Sequence, residues 1–341
     1  MKLISFAVPC YNSQDYMRKC IDSILTAGDE IEIIIVNDGS KDDTIKIANE
    51  YFERYPEIVK VIDKENGGHG SGVNAGLKLA TGLYYKVVDS DDWLDEESLQ
   101  KLMAKIKLHM QEDTLPDLYV TNFVYEKAYD NTRHVSRYTD KMPQDVIFGW
   151  DKVKPFRYSH MMLMHALLYK REKLIESGLE LPEHTFYVDE IYAYQPLPYM
   201  KTICYLDLDL YRYFIGRSDQ SINRSNFIKR YDQQIRVMQR LTDAYSWKEI
   251  KKMPKGLRKY MWHSLNAIMI TTVYFICAEY SKDRKEKLKA MWNHIKERDK
   301  ALYRKLRHRS YCTSVNYMPW RLRSKVMNFA YDRLCKTVKL G

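Results

Sequence analysis

The stretch ENGGHGSGVNAGLKLATGLYYKVVDSDDWL, residues 65–94, contains the pattern that decides the fold. It opens with a glycine-rich loop, continues through a segment that predicts a helix from about Ser71 to a stop before Gly82, and reaches a short apolar strand at 83–88. The strand is followed directly by three aspartates, Asp89, Asp91 and Asp92. Carboxylates this close repel one another, so they indicate a cation or a set of hydroxyl groups that offsets the repulsion.

Three further segments have the length and composition of strands that are buried on both faces. They are short, apolar and rich in β-branched or aromatic residues, and they cover residues 3–8, 31–36 and 58–63. Between them, apolar residues recur at helical spacing after Ser13 and after an N-cap near Asp42. The repeated strand and helix predict right-handed crossovers and a mostly parallel sheet covered by helices on both sides, which is an α/β fold.

The loops that follow these four strands are expected at one edge of the sheet. Ligands of open parallel sheets bind outside the carboxyl ends of the strands. The four loops are PCYNS (9–13), NDGS (37–40), KENGGHG (64–70) and DSDD (89–92). Any one of them has the residues of an ordinary turn, but four together with three carboxylates predict a shared ligand crevice.

The residues of the crevice indicate a nucleoside diphosphate and a divalent cation. Aspartate oxygens are hard donors suited to Mg²⁺ or Mn²⁺, and Mg²⁺ is commonly held by one or two carboxylates together with substrate phosphates. Asp89 and Asp91 are placed to reach a ribose hydroxyl and a metal ion, respectively. Asp38 is placed to accept hydrogen bonds from a base or a sugar.

Two other classes of protein remain as alternatives. A nicotinamide-dependent dehydrogenase has weak support from GSGVNA, residues 70–75, which satisfies G-x-G-x-x-A and is followed by Asp89 at close to the dinucleotide spacing. In that motif, however, the glycines belong to the first βα turn, whereas this turn is the third and the acid lies in a cluster. A non-catalytic protein that binds nucleotide or carbohydrate would keep the same crevice.

Charge is distributed unequally along the chain. The formal net charge is +10, but residues 225–341 contain 28 Lys and Arg against 9 Asp and Glu, whereas residues 1–224 contain 27 against 36. A basic segment of this size fits nucleic acid, an anionic membrane surface or a phosphate-bearing substrate. Because the sequence has no zinc-finger or aromatic RNP motif, nucleic acid is not expected as a partner.

Composition and cysteine usage predict a globular protein with reduced thiols. A hydrophobic content of 45% and an aromatic content of 13% exclude a disordered chain. The six cysteines form no C-x-x-C pair, which favours a cytoplasmic location, and the N-terminal apolar stretch predicts a first strand rather than a signal peptide. Residues 261–278 lack formal charge but include several polar side chains, so they predict a buried core helix rather than a membrane span.

Several motifs in order resemble the nucleotide-binding half of the family 2 glycosyltransferases, which have the GT-A fold. They are SFAVPCYNSQDYMRKCIDSIL, IEIIIVNDGSKDDT and the stretch quoted above. The resemblance is strong over residues 1 to 100 and weaker through 225. The family often has Arg-Asn where this chain has Val73-Asn74, so a diphosphate contact from that arginine is not expected here.

The resemblance implies roles for eight residues of the crevice. Seven would contact the nucleotide sugar: Pro9, Tyr11 and Asn12 would line the nucleotide pocket, Asp38 would meet the base, Gly67 and Gly68 would let the backbone approach it, and Asp89 would bind the ribose. The eighth, Asp91, would hold Mn²⁺ or Mg²⁺ as part of a D-x-D motif.

The resemblance also implies a carboxylate on the acceptor side, in a pattern like E-D-x-x-F. Residues 188–192, VDEIY, match as Val188-Asp189-x-x-Tyr192, so Asp189 is the expected base and Glu190 is its rival. The predicted reaction transfers a hexose from a nucleoside diphosphate sugar, expected to be a UDP sugar, to a hydroxyl of a glycan or lipid-linked acceptor with inversion. Membership of the family would place this reaction in bacterial cell-surface polysaccharide or glycolipid assembly.

A few basic residues are secondary candidates. The segment YRYFIGRSDQSIN, 211–223, resembles the part of the family that follows the base motif, and its Arg212 and Arg217 could pair with phosphate oxygens, although each alone is more often a surface arginine. Three histidines are additional candidates for the metal shell, although a lone histidine is more often structural. They are His69, His160 and His165.

Two regions are expected, a GT-A nucleotide-sugar-binding and catalytic domain at 1–225 and a basic helical region at 226–341 that contacts acceptor, membrane or another subunit. In the last segment, 321–341, apolar residues recur at helical spacing opposite Arg and Lys: Val326, Phe329, Ala330, Leu334, Cys335 and Val338. Such a helix lies on an anionic bilayer or packs on the body of the protein, and the sequence leaves both open. The first alternative corresponds to a peripheral position on the inner face of the plasma membrane, and a homo-oligomer also stays open.

Overall fold

The computed structural model describes residues 1–127, 132–157, 160–216, 226, 229–278 and 282–338. The chain divides into two compact units. The N-terminal unit comprises Met1–Phe156, His160–Arg217 and Pro254–Leu257, and the C-terminal unit comprises Arg157–Ser159, Ser218–Met253 and Arg258–Gly341. The assignment of separate functions to 1–225 and 226–341 stays a prediction.

Four parallel strands form the first half of a large sheet in the N-terminal unit. They are β1 (Ile4–Cys10), β2 (Ile31–Asp38), β3 (Val59–Lys64) and β4 (Tyr84–Val87), and they lie in the order β3-β2-β1-β4. β1 and β2 are buried along their whole length, as expected for strands covered on both faces. All four predicted strands are therefore confirmed.

Helices alternate with these strands as the apolar spacing predicts. They are α1 (Met17–Leu25), α2 (Thr44–Arg54) and α3 (His69–Leu79). The N–H and the hydroxyl of Thr44 donate to the Asp42 carboxylate over 3.1 and 2.5 Å, which fixes the start of α2 near the expected cap. α3 begins at His69, slightly before the predicted start at Ser71, so the glycine-rich loop leads straight into its first turn.

The remaining strands complete the large sheet and form a second, smaller one. They are β5 (Trp93–Leu94), β6 (Leu118–Val120), β7 (Phe123–Lys127), β8 (Thr132–Ser136), β9 (Ile147–Phe148), β10 (Leu167–Lys170), β11 (Ile203–Tyr205) and β12 (Tyr211–Ile215). The large sheet continues from β4 as β10-β6-β11-β9, with β10 antiparallel to both of its neighbours. The small sheet has the order β5-β12-β7-β8.

The sequence predicts one strand over residues 118–125, and this prediction is wrong. The chain leaves the large sheet after β6 and enters the small sheet at β7, with Thr121 and Asn122 between them. The Asn122 side chain donates to Asp207 over 2.6 Å and to Asp209 over 2.9 Å, and its backbone N–H donates to the carbonyl of Leu208 over 2.9 Å. These long-range bonds turn the chain at a point that apolar spacing does not mark.

Three more helices belong to the N-terminal unit. They are α4 (Glu96–Gln111), α5 (Arg171–Glu176) and α6 (Asp189–Tyr192). Asp95 caps α4 by accepting the N–H of Ser98 over 3.1 Å. α6 is a single turn, and its first residue is the predicted base.

The C-terminal unit is helical throughout the part that the structure describes, as predicted. Its helices are α7 (Tyr231–Ala244), α8 (Trp247–Lys252), α9 (Lys255–Ala278), α10 (Arg284–Arg298), α11 (Lys300–His308), α12 (Thr313–Tyr317) and α13 (Trp320–Val338). Among the described residues, α9 alone is long and apolar enough to cross a membrane, and 83% of its apolar window is buried in the protein. Burial of this extent is expected of a core helix, as the sequence predicts for residues 261–278.

Candidate active site

The carboxylate of Asp89 lies between two histidines just beyond the end of β4. His69 Nε2 is 2.7 Å from Asp89 Oδ1, and His165 Nε2 is 3.8 Å from Asp89 Oδ2. Burial opposes the ionisation of Asp89, but the charge and hydrogen bond of His69, with smaller contributions from His165 and Lys86, hold its pKa below the ordinary value. Asp89 is therefore an anion at neutral pH.

Asp92 is the most buried member of the acid cluster. Its Oδ2 accepts the hydroxyl of Tyr211 over 2.6 Å, and its Oδ1 accepts the N–H of Phe214 over 2.8 Å. Burial, followed by the charges of Asp91 and Asp89, raises its pKa well above the ordinary value. Asp92 thus joins β12 to the cluster. Asp91, the predicted metal ligand, is half-buried in the same turn, and its role as a ligand stays a prediction.

Three side chains of this cluster could hold a metal ion together. Asp89, Asp92 and His165 each offer a donor atom, and these atoms lie within 4.8 Å of one another. Burial, with the charges of Lys86 and His69 acting against that of Asp89, lowers the pKa of His165 to about 4, so its ring is neutral. Its Nδ1 is buried and has no hydrogen-bond partner among the described residues. A neutral imidazole is the form that binds metals.

Lys86 lies in β4 and is fully buried beneath the cluster. Its Nζ donates to the carbonyls of His165 and Leu167 over 2.7 and 3.3 Å. Burial lowers its pKa to about 7, against the opposing effect of Asp89. Lys86 therefore fixes the turn that presents His165, a function that the apolar strand pattern hides.

Asp38 holds the glycine-rich loop in place at the end of β2. Its Oδ1 accepts the N–H of Gly67 and Lys64 Nζ, both over 2.8 Å, and its Oδ2 accepts the N–H of Gly68 over 2.7 Å and Asn66 Nδ2 over 3.0 Å. All four contacts are within the protein. The contact between Asp38 and a nucleotide base stays a prediction.

The glycine-rich loop also contacts the segment that leads to Asp189. The N–H of His184 donates to the carbonyl of Gly67 over 2.6 Å. Gly68 has a φ of 84°, and a Cβ at this position would lie 3.2 Å from the backbone N of His184, so a side chain there would disturb both segments. The two glycines therefore serve a close backbone contact with the segment that leads to Asp189.

Two residues of α3 also bind the segment at 181–188 that leads to Asp189. Asn74 forms a reciprocal pair with the backbone of Leu181, in which Nδ2 donates to the carbonyl over 2.8 Å and Oδ1 accepts the N–H over 3.0 Å. The hydroxyl of Ser71 donates to Glu183 over 3.1 Å. The loop before α6 is thus tied at three points, two of them on α3.

Asp189 is half-buried at the start of α6, close enough to Asp89 and His69 for their charges to affect it. Burial and the charge of Asp89 raise its pKa, while His69 opposes the shift. Two residues earlier, Tyr187 has a φ of 63°, a left-handed conformation that is costly for a bulky side chain. A strained approach and a raised pKa are typical of a carboxylate that accepts a proton near neutral pH.

The loop after β1 joins the loop after β2. The N–H of Asn12 donates to the Ser40 hydroxyl over 3.0 Å, and Asn12 Oδ1 accepts the N–H of Lys41 over 2.9 Å. Pro9 lies against Gly72 of α3, and Tyr11 is 51% exposed. The nucleotide contacts expected of Pro9, Tyr11 and Asn12 stay predictions.

An aromatic wall that the sequence analysis missed lies beside His165. The ring of Tyr213 stacks on His165 with centroids 4.7 Å apart, Phe123 lies 5.6 Å from His165, and Tyr125 lies 5.5 Å from Tyr213. β7 and β12 are parallel neighbours in which Phe123 pairs with Tyr211 and Tyr125 with Tyr213. The alternation of aromatic residues in FVYEK and YRYFI was the available signal.

Arg212 is engaged within the protein. Its guanidinium pairs with Asp95 over 2.8 Å and with Glu126 over 3.0 Å, because strand alternation turns it away from the face that carries Tyr211 and Tyr213. Arg217 lies outside the described residues. His160 stacks on Tyr138 with centroids 4.9 Å apart, whereas the other two candidate histidines lie at Asp89.

The glycines of GSGVNA lie inside α3 rather than in a phosphate-binding turn. A Cβ at Gly72 would lie 3.0 Å from the Cβ of Pro9, and a Cβ at Gly76, the residue directly after the motif, would lie 2.7 Å from the Cβ of Ala7. These glycines let α3 pack closely on β1. The motif that supported a dehydrogenase is thereby explained by packing.

Comparisons with known proteins agree with this architecture. Residues 5–171 match Glycosyl transferase family 2. Glycosyltransferase GlyA of Streptococcus pneumoniae is 30% identical over 235 residues, which cover 64% of this chain and 31% of GlyA. The match thus spans about a third of the length of that curated relative.

Solved glycosyltransferases share the fold. TarS 1–349 of S. aureus superposes with a TM-score of 0.62 at 20% identity, covering 90% of this chain and 83% of that one, and it was also solved in complex with UDP-GlcNAc. The mannosyltransferase PcManGT of Pyrobaculum calidifontis, solved with GDP-Man and Mn²⁺, has a TM-score of 0.51 at 15% identity, covering 96% of this chain and 84% of that one. The predicted GT-A fold is confirmed, and the part of the chain at residues 5–171 belongs to glycosyltransferase family 2.

Proposed function

We propose that this chain transfers a hexose from a UDP sugar to a hydroxyl group of a glycan or lipid-linked acceptor, with inversion. The observation that carries the proposal is the position of Asp189, whose raised pKa suits a proton acceptor, close to Asp89 and His69. Membership of family 2 supports glycosyl transfer, and the UDP-GlcNAc complex of TarS supports a UDP sugar as donor.

In the proposed step, the hydroxyl oxygen of the acceptor attacks the anomeric carbon of the donor. A new C–O bond forms while the bond from this carbon to the diphosphate oxygen breaks, and UDP leaves with the electron pair. The proton of the acceptor hydroxyl passes to a carboxylate oxygen of Asp189. One displacement from the opposite face inverts the configuration of the sugar.

The residues of the acid cluster fit a divalent cation. Two carboxylates and one neutral imidazole lie together, with one possible ligand atom of each within 4.8 Å of the others. Carboxylates suit both Mg²⁺ and Mn²⁺, whereas imidazole favours a transition metal, so we expect Asp89, Asp92 and His165 to prefer Mn²⁺. Such an ion would neutralise charge on the departing diphosphate. Asp91 is a further candidate ligand from the same turn.

His69 is expected to act on the donor side. Burial opposes its protonation, but the charge and hydrogen bond of Asp89 outweigh burial and raise the pKa of His69. The residue begins α3, directly after the glycine-rich loop, so a protonated ring places positive charge where the diphosphate is expected. It also keeps the Asp89 carboxylate ionised for a ribose hydroxyl or a metal ion.

The test separates donor binding from transfer. A ligand that binds only the folded state raises Tm, so we expect UDP with Mn²⁺ to raise Tm more than UDP alone. Asp189→Asn should lower kcat by about 10²–10⁴-fold with the UDP-dependent shift intact, because the base contributes to the chemical step. Glu190→Gln, one residue away, is the matched control and should retain activity. An Asp189→Asn enzyme that turns over at the parent rate would overturn the assignment of the base, and an unchanged Tm would overturn the donor site.

A further inference from the structure

A basic cleft of about 720 Å³ lies between α8 and α11 of the C-terminal unit. Five of its seven lining residues are basic, and none of the seven is acidic: Lys251, Arg304, Lys305, His308 and Arg309, with Trp247 and Ala301. Arg304 and Arg309 are exposed, so their guanidinium groups are accessible. A cleft of this volume admits a ligand larger than a single inorganic anion.

The position of Lys305 is fixed by two tryptophans. Its Nζ lies 4.5 Å from the ring centroid of Trp247 and 4.1 Å from that of Trp262, and the two indoles meet edge to face with centroids 5.6 Å apart. Such cation–π contacts hold the ammonium group in one place before any ligand arrives. Burial, followed by the charge of Arg309, lowers the pKa of Lys305.

Two carboxylates at the starts of α8 and α11, Glu249 and Asp299, accept hydrogen bonds from the ends of these helices. Asp299 Oδ1 accepts the N–H groups of Ala301 and Leu302 over 2.7 and 3.0 Å, and its Oδ2 accepts the N–H of Trp247 over 2.6 Å. Asp299 therefore joins α8 to α11 through backbone amides. Glu249 is held in a capping box with Ser246. The positive charge of the cleft is left for an external anion.

Four of the basic residues of the cleft lie along the second half of α11 and at its C-terminal end. Arg304 and Lys305 belong to the helix, and Arg309 is its C-cap residue. Two arginines with planar forked donors, together with lysines, match the oxygens of a phosphate group better than those of a single carboxylate.

We propose that this cleft binds a phosphate ester group, carried either by a soluble substrate or by a phospholipid headgroup. The site is separate from the acid cluster of the N-terminal unit in its residues and in its charge. It requires no cation, because its own side chains supply the positive charge. It does not depend on the proposed transferase reaction, since binding is measured without turnover.

The experiment titrates the full chain with inorganic pyrophosphate in EDTA at low salt, by calorimetry. EDTA removes cations that would draw the probe to the acid cluster. The cleft variant Arg304→Gln/Arg309→Gln should bind at least about tenfold more weakly than the parent. The control variant Lys285→Gln/Lys289→Gln removes the same charge from two exposed positions of α10 and should bind like the parent.

Two arms distinguish the sources of the phosphate. If the ligand is a headgroup, the parent and the control sediment with phosphatidylglycerol vesicles, the cleft variant does not, and pyrophosphate competes. If the ligand is soluble, pyrophosphate binding depends on the cleft while sedimentation is the same for all three proteins. Equal weakening in the cleft and control variants, or no pyrophosphate binding by the parent, would overturn the proposal. Unchanged Tm values for both variants show that each is folded.

Discussion

His69 Nε2 and Asp89 Oδ1 lie 2.7 Å apart and connect the start of α3 to the end of β4. The pair accounts for two opposite shifts, because the pKa of Asp89 is lowered and that of His69 is raised. The ionised pair also lies beside Asp189 and the aromatic wall. Its charge state therefore affects both the acid cluster and Asp189.

Stability should depend on this pair over a defined pH window. The contribution of Asp89 is lost as pH falls through its lowered pKa, and that of His69 is lost as pH rises through its raised pKa, so the pair stabilises most between the two. We expect His69→Gln to reduce the free energy of unfolding by about 1–3 kcal/mol at pH 6 and by less at pH 8.5, in urea titrations. An equal loss at both values would contradict an ionised pair.

The pH profile of transfer should report the raised pKa of Asp189. The carboxylate must be ionised to accept a proton, so kcat should fall as pH decreases through this pKa, at a higher pH than for an ordinary aspartate. We expect Glu190→Gln to keep the same acid limb in a plot of kcat against pH. If the parent kept full activity down to the ordinary aspartate range, Asp189 would not be the group that titrates.

Lys86→Met should show how a buried amine affects stability. The amine has a pKa of about 7 when folded and an ordinary, higher pKa when unfolded, so its contribution to stability increases as pH rises from 7 towards 10. In Lys86→Met the carbonyls of His165 and Leu167 lose their donor at every pH. Because the parent's amine contributes more to stability at pH 9 than at pH 6, the variant should lose more unfolding free energy, relative to the parent, at pH 9. Lys78→Met, at an exposed position of α3, should stay within about 0.5 kcal/mol of the parent. A pH-independent difference would argue against the lowered pKa.

Asn74→Asp should weaken the attachment of the segment at 181–189 to α3. The replacement keeps the size of the side chain but removes the Nδ2 donor to the carbonyl of Leu181, at a cost of about 1–3 kcal/mol in the free energy of unfolding. Hydrogen exchange should quicken in the amides of 181–189, and kcat should fall more than the affinity for UDP. Unchanged exchange in this segment would show that α3 does not position it.

The parallel half of the sheet was predictable because strands such as 31–36 and helices such as α1 have strong, local apolar periodicity. The position of the acid cluster was also predictable, because the carboxyl ends of parallel strands lie at one edge of the sheet. The break at Thr121 and Asn122 was not predictable, since it depends on Asp207 and Asp209, which are distant in sequence.

The same contrast holds within the site. The sequence marks Asp89 and Asp189 through their motifs, and the structure brings them to one place. The sequence does not mark Lys86 as a hydrogen-bond donor to the backbone. A lysine in a buried strand acquires this role only from the carbonyls of the turn at 164–166 and of β10. The pairing of Arg212 was not predictable for a related reason, since its partners Asp95 and Glu126 come from two other segments of the chain.

The reciprocal bond between Asn74 and Leu181 joins residues that are 107 positions apart. Closing a loop of this length is entropically unfavourable, and contacts so distant in sequence form slowly. A nascent chain can assemble β1 to β4 and the donor loops well before Asp189 is brought to them. The newly made protein should therefore acquire affinity for nucleotide earlier in folding than it acquires the ability to turn over substrate.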